Sequence, residues 1–345
     1  MTGQWRATCI QMPSRTARQA STRREAWGII DGNLRCAIKL INQAMNADPA
    51  PALVVLPEFA FQGPPKVESV AEWLEKACYP VPGPITEPLQ ELARSVGAHI
   101  GGNQFESDPE WPDRFFNTSF LIDPDGEVVL RYRRIHTAQW VSPHDFLDDY
   151  LARYGEEGLW PVVETSLGRV AMLACGEIMV PEASRLLMLR GAEILVHPTN
   201  EPVSEAEGAG KVTAAASNML YVVSANVAGP IGFSSGEPPI TGGSSRIVDF
   251  RGNTLSLEDS PAETVGASAM IDTGALRAAR SENTMANALL RIRVEAFSEM
   301  FRGVVLYPAN WFLDSPMKHW RDTSGPAGRS LTNLDTLGVI DSVPE

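Results

Sequence analysis

Val170-Ala171-Met172-Leu173-Ala174-Cys175-Gly176-Glu177-Ile178-Met179-Val180-Pro181 is the stretch on which the reading of this chain turns. A short unbroken apolar run suits a strand buried on both faces, the usual state of a parallel strand between layers. Cys175 closes the run. Pro181 stands early in a helix predicted over 181–190, with Gly191 as its stop. A cysteine at a strand-to-helix turn stands above the sheet, where backbone N–H groups can stabilise an oxyanion and a helix dipole favours a thiolate. The local sequence allows equally that Cys175 is a small buried hydrophobe, as most free cysteines are.

The same alternation of strand and helix extends in both directions. Trp27, Ile30, Leu34, Ile38, Ile41 and Met45 recur at helical spacing and mark one apolar face. A strand is predicted over 52–56, a helix through Leu89, Leu92, Ala93 and Val96 capped by Gly97, and a strand over 98–101. Asp123-Pro124-Asp125-Gly126 is a turn signal between strands at 118–122 and 128–132. Further on come a strand at 194–197, a helix at 212–220 and a strand at 221–225. Late strands at 245–250 and 267–271 are read as separated by the turn Arg251-Gly252-Asn253. We divide the chain into one α/β layered domain over 1–300 and a tail over 301–345 with little periodicity.

The chain has 345 residues, 44% of them hydrophobic, and a formal net charge of −13. An acidic balance argues against a nucleic-acid partner and is compatible with a neutral or cationic small molecule as substrate. No apolar run approaches the roughly 20 residues that span a bilayer, so no membrane association is expected. Cys9, Cys36, Cys78 and Cys175 are too scattered for a disulfide framework and form no CxxC zinc pair. A reducing, cytoplasmic compartment and no metal are the expectations.

Two other segments carry chemistry. Glu58, in Leu56-Pro57-Glu58-Phe59, follows a buried strand among apolar neighbours, where burial raises a carboxyl pKa and makes a general base; a solvated loop carboxylate is the plainer alternative. In Arg131-Tyr132-Arg133-Arg134-Ile135-His136, period two puts Tyr132 and Arg134 on one face and Arg131 and Arg133 on the other. One arginine therefore projects into a pocket, unless the run is a solvated basic strand end.

Taken in order and spacing, Leu56-Pro57-Glu58, Tyr132 to His136 and Cys175 to Glu182 resemble the three signature segments of the nitrilase superfamily, the carbon–nitrogen hydrolases. Gln11, Gly191-Ala192-Glu193-Ile194, Asn218, Tyr221-Val222-Val223 and Asn226 are similar to further family positions, from about residue 5 to about 275. The resemblance implies a four-layer α-β-β-α sandwich, a homodimer or higher homo-oligomer, and covalent catalysis without cofactor or metal. It also implies roles: Cys175 as nucleophile, Glu58 as general base, and a thioester hydrolysed in a second half-reaction.

The chain departs from that pattern at Arg134, which stands where the family has a catalytic Lys. No Lys lies near it in sequence; the chain has only Lys39, Lys66, Lys76, Lys211 and Lys318. Arg keeps its charge at any working pH, so it stabilises an oxyanion or thiolate but is a poor proton donor. Gly176 replaces a larger family side chain and leaves room that would accept the Arg134 guanidinium. Ala214 and Ser217 replace a family Arg and Glu. Many members have a second Glu between the Lys and Cys segments. Asp149 falls nearest that place and Glu156 second, although Asp148-Asp149 to Glu156-Glu157 reads equally as a solvated acidic loop. Asn200 stands where the family lines its substrate pocket.

Three functions follow. An amidase-type hydrolase cleaving a small amide, carbamoyl compound or hydrazide is favoured. A nitrilase needs a proton delivered to the substrate nitrogen, which Arg134 disfavours, although Cys175-Gly176-Glu177 is nearer the nitrilase Cys-Trp-Glu pattern. A ligand-binding pseudoenzyme is suggested by the missing Lys and opposed by the retention of Glu58 and Cys175.

Overall fold

The computed structural model describes residues 3–65, 69–137, 140–231 and 241–341. Its strands are β1 (Gln4–Cys9), β2 (Pro51–Val55), β3 (His99–Ser107), β4 (Phe115–Ile122), β5 (Val128–Arg133), β6 (Val163–Thr165), β7 (Gly168–Met172), β8 (Ile194–Thr199), β9 (Tyr221–Asn226), β10 (Arg246–Val248), β11 (Thr254–Leu257) and β12 (Ser268–Asp272). They form two six-stranded sheets, ordered β12-β1-β2-β3-β4-β5 and β11-β10-β9-β8-β7-β6. The helices are α1 (Arg23–Ala44), α2 (Val70–Ala77), α3 (Glu87–Val96), α4 (Leu147–Leu159), α5 (Pro181–Leu189), α6 (Glu205–Asn218), α7 (Thr273–Ser281), α8 (Glu295–Phe301) and α9 (Ser324–Thr336).

Strand periodicity sorts the core into layers. Leu53 and Val55 of β2 pack with Met172 and Val196 of the second sheet, whereas Val54 between them packs with Ile30, Ile41 and Trp73 of α1 and α2. Gly101 of β3 marks how closely the sheets approach, since a Cβ there would stand 3.0 Å from Val196 Cγ1. On the far side of the second sheet, Ala183 and Leu187 of α5 and Ala214 of α6 close the core. Helices, sheet, sheet and helices thus make the four layers.

β7, β8 and β9 are parallel, so their carboxyl ends share one rim. β2 in the other sheet is parallel to β1 and β3 and ends at the same rim. The rims are joined where the Glu58 N–H donates to the Thr199 carbonyl at 3.2 Å. Topology therefore delivers Glu58, Cys175 and Asn200 to one place, as open α/β sheets do with their ligand crevices.

Several sequence expectations change. The helix predicted at 212–220 spans Glu205–Asn218, with the Ser204 side chain as N-cap accepting from Glu207 N–H, because a polar first turn hides the amphipathic signal. The acidic stretch 148–157 is helix α4 with a kink at Gly155, φ 65°, and not a loop. The turn at Arg251-Gly252-Asn253 joins β10 to β11, a largely exposed strand without an apolar run. The segment near 267–271 crosses to the other sheet and pairs antiparallel with β1. Within 301–345, α9 forms, and Phe312 and Met317 are buried against the body. Asn310 and Phe312 N–H donate to the His144 and Asp145 carbonyls at 3.0 and 2.9 Å. Among the described residues no helix is long and apolar enough to cross a membrane.

Candidate active site

Cys175 follows β7 with φ 50°, a left-handed conformation uncommon for a residue with a Cβ and costing on the order of 1 kcal/mol. The strain aims its thiol off the sheet. Sγ lies 3.9 Å from the Asn200 carbonyl. His197 Nε2 donates to the Cys175 carbonyl at 2.8 Å, which fixes the tautomer: Nδ1 then accepts from the Ser224 hydroxyl at 2.9 Å. Burial lowers the His197 pKa to about 4, so the ring is neutral.

Glu58 ends the Leu56-Pro57 extension of β2 and is followed by Phe59, also left-handed at φ 55°. It is fully buried. Oε1 accepts from Asn117 Nδ2 at 2.7 Å and from Arg134 Nη1 at 3.0 Å. Oε2 makes no well-formed hydrogen bond, although the Cys175 thiol is close enough to act on Glu58 as a donor. Burial raises the Glu58 pKa; Arg134, Asn117 and Cys175 pull against it. Burial first and the Glu58 charge second push the Cys175 thiol up to about 12, with Arg134 opposing. At rest Cys175 is therefore a neutral thiol.

Arg134 lies just past β5. Its N–H donates to the Asn117 carbonyl at 2.8 Å and its Nε to the His136 carbonyl at 3.0 Å. Burial works against its charge, but Glu58 and Cys175 more than offset this and hold its pKa above the ordinary guanidinium value. Nη2 has no hydrogen bond among the described residues and lies 3.7 Å from where a Gly176 Cβ would stand. With glycine at 176 the guanidinium keeps its place next to the backbone that follows Cys175. On the opposite face, Arg131 and Arg133 both pair with Glu106, as the period-two reading requires.

Glu58, Arg134, Cys175, Gly176 and Asn200 come together. Asp149 does not: it is exposed in the first turn of α4, and Glu156 is exposed further along it. The buried acid of that region is Asp145, which burial pushes up to about 6, but its backbone partner is Ser142 and its charged neighbour Arg114. No described contact connects any of the three to Cys175.

Sequence reasoning missed the residues that hold the site. Fully buried Glu177 accepts from Tyr132 Oη at 2.7 Å and from Ile135 and His136 N–H at 3.0 and 2.9 Å through Oε1, and from Ala174 N–H at 3.0 Å through Oε2. Asn103 accepts from Phe59 N–H at 3.1 Å and donates to Asn117 Oδ1 at 2.6 Å, setting the amide that holds Glu58. Polar residues inside the otherwise apolar β3 and β4 were the available signal. Lys211, remote in sequence, is buried on α6 and paired with Glu201 next to Asn200. No group of His, Cys, Asp or Glu among the described residues could hold a metal ion.

The sequence pattern of the carbon-nitrogen hydrolases matches residues 6–281. The chain belongs to that family. As a carbon–nitrogen hydrolase it is 28% identical over 232 residues to a formamidase of Bacillus cereus, a match covering 66% of this chain and 64% of the relative. The chain thus spans less than two thirds of the length of the curated relatives it matches. Its fold is similar to that of the C. elegans NitFhit protein, with TM-score 0.64, 23% identity and coverage of 86% of this chain and 66% of that one. A carbon-nitrogen hydrolase from Helicobacter pylori G27 gives TM-score 0.62 at 21% identity, covering 87% and 99%. An amidase from Nesterenkonia sp. AN1, solved as a double mutant with acrylamide, gives 0.60 at 17%, covering 86% and 97%.

Two predictions follow from the geometry. Glu177→Ala strands three backbone N–H groups and the Tyr132 hydroxyl. Urea unfolding should show a loss of about 3 kcal/mol; a loss within experimental error would mean that water replaces the carboxylate at no cost. In Glu58→Gln, removal of the negative charge should move the pH midpoint of Cys175 alkylation by iodoacetamide downward. Arg134→Met should move it upward. Midpoints that stay at the wild-type value would show that neither charge acts on the thiol.

Proposed function

We propose that this chain hydrolyses a non-peptide carbon–nitrogen bond in a small molecule, a carboxamide, carbamoyl compound or hydrazide, through a Cys175 thioester. The observation that supports the reading best is the Arg134–Glu58 pair at 3.0 Å with the Cys175 thiol close enough to Glu58 to act as its donor. Cys175 Sγ attacks the carbonyl carbon while Glu58 takes its proton. The C–N bond breaks and the departing nitrogen receives that proton from Glu58. Water, deprotonated by Glu58, then attacks the thioester, and the thiol is restored. Arg134, whose Nη2 lies beside Gly176, stabilises the oxyanion without giving up a proton. The formamidase and amidase relatives support the same class of reaction.

Mass spectrometry after incubation with a panel of amides, carbamoyl compounds and nitriles tests this. An acyl adduct on Cys175 that is absent from Cys175→Ala is expected; a folded protein with neither adduct nor turnover would be a binding protein instead. Arg134→Lys should lower kcat by about tenfold or more, because a lysine cannot bond Glu58 and the His136 carbonyl together. A rise in kcat would mean the arginine merely impairs a lysine-built site.

We further propose that the chain works as a homodimer or higher homo-oligomer. Phe297, Met300, Phe301, Val305 and Leu306 are large apolar side chains exposed in and just after α8, and exposed apolar clusters mark interaction surfaces. Light scattering should give at least twice the chain mass, and Phe301→Glu should reduce it. A wild-type mass of one chain would refute the assembly.

A further inference from the structure

Beyond the nucleophile the rim continues into a group of polar side chains that the proposed reaction does not use. Asn200 and Glu201 follow β8, and Glu207 lies in the first turn of α6. Asn200 is 5% exposed and its side chain makes no hydrogen bond, although its own carbonyl meets the Cys175 thiol. Glu201 is 3% exposed; Oε1 receives the Lys211 ammonium and Oε2 receives nothing. Glu207 Oε2 also lacks a donor. The Glu201 and Glu207 carboxyls lie within hydrogen-bonding reach of each other, and two carboxylate oxygens can meet only across a shared proton or an outside donor.

The demand around Cys175 is therefore one-sided. Among the described residues Asn200 Oδ1, Glu201 Oε2 and Glu207 Oε2 are buried acceptors with no donor beyond a proton shared by the two carboxyls. Of the cations, Arg134 bonds Glu58 through Nη1, Lys211 bonds Glu201 and Arg246 bonds Ser244, while the Arg134 Nη2 donors lie on the Gly176 side. In charge, Glu58, Glu177, Glu201 and Glu207 face Arg134, Lys211 and Arg246, so the site balances only while one proton or one outside cation sits between Glu201 and Glu207. Glu207 is the acid that feels the excess: burial and then Glu201 push it up to about 7. A neutral alkyl amide would leave this demand unmet, whereas an ammonium, with several N–H donors and one positive charge, meets both parts of it.

We propose that Asn200, Glu201 and Glu207 form a cation-accepting subsite beside Cys175, and that the substrates of this chain are small amides bearing an ammonium or similarly N–H-rich cationic group. The inference rests on the hydrolase reading for the word substrate, but not for the subsite itself. The substrate cation takes the place of the proton between Glu201 and Glu207, and Asn200 Oδ1 accepts one of its N–H bonds. Lys211 holds Glu201 in position from the helix side.

The test compares γ-aminobutyramide with its neutral isostere pentanamide, and β-alaninamide with butanamide. The ratio of kcat/KM, cationic over neutral, should be about tenfold or more in one of the pairs. It should collapse toward unity in Glu207→Gln and in Glu207→Ala, two changes at a half-buried position. A wild-type ratio near unity in both pairs, or a ratio that survives both variants, would overturn the proposal and leave the carboxyl pair holding only a proton. Calorimetry on Cys175→Ala separates this from failure of the hydrolase reading. If the wild type turns over no amide, preferential binding of the cationic member of a pair, lost on adding Glu207→Gln, still establishes the subsite. Equal binding of both members removes it.

Discussion

Glu177 is the constraint on which this site depends. A carboxylate buried without a cation of its own is costly, and here it is satisfied by donors from two separate parts of the chain. Tyr132, Ile135 and His136 come from the end of β5 in one sheet, and Ala174 from the end of β7 in the other. Arg134 lies among the first three and Cys175 directly follows the last. One side chain thus sets the separation between the proposed cation and the proposed nucleophile. The two sheets meet through apolar contacts that alone would allow them to slide; directional bonds to a single carboxylate remove that freedom.

The same device recurs around the rim. Gln11 Oε1 accepts from the Ser245 hydroxyl at 2.9 Å, and Ser245 Oγ in turn accepts from Asn226 N–H at 3.0 Å. Asn226 then takes up the Glu201 backbone through Oδ1 and Nδ2, at 3.1 and 3.0 Å. Glu193, also buried, binds Arg277 at 2.7 and 2.8 Å and Arg169 N–H at 2.9 Å, anchoring α7 beside the second sheet. The family-like positions noted in the sequence are thus fastenings of strand ends, and the proposed reacting groups occupy the space between them. Strained backbone at Cys175 and Phe59 persists because these fastenings over-determine the loops.

Substitution of Arg for Lys fits this frame. The guanidinium bonds Glu58 and the His136 carbonyl together and lies where Gly176 leaves room. A fixed cation of this kind supplies charge and geometry but no proton, so the proposed reaction leaves acid–base work to Glu58. The nearby buried Lys211 does not replace it, since it is committed to Glu201.

The sequence alone determined the layered α/β class, the order of most strands and helices, and the three segments that meet at the site. Apolar runs, turn signals and the spacing of Glu58, Arg134 and Cys175 are properties of neighbouring residues, and such patterns survive in one dimension. Only the tertiary structure decided that α4 is a helix that keeps Asp149 in solvent. It also moved β12 to the opposite sheet, buried Lys211 and Glu201 close to the Cys175 rim and half-buried Glu207 against Glu201. The physical reason is the same in each case. Burial of a polar side chain depends on partners distant in sequence, and so does the pairing of a strand lacking an apolar run; neither leaves a periodic mark on the chain.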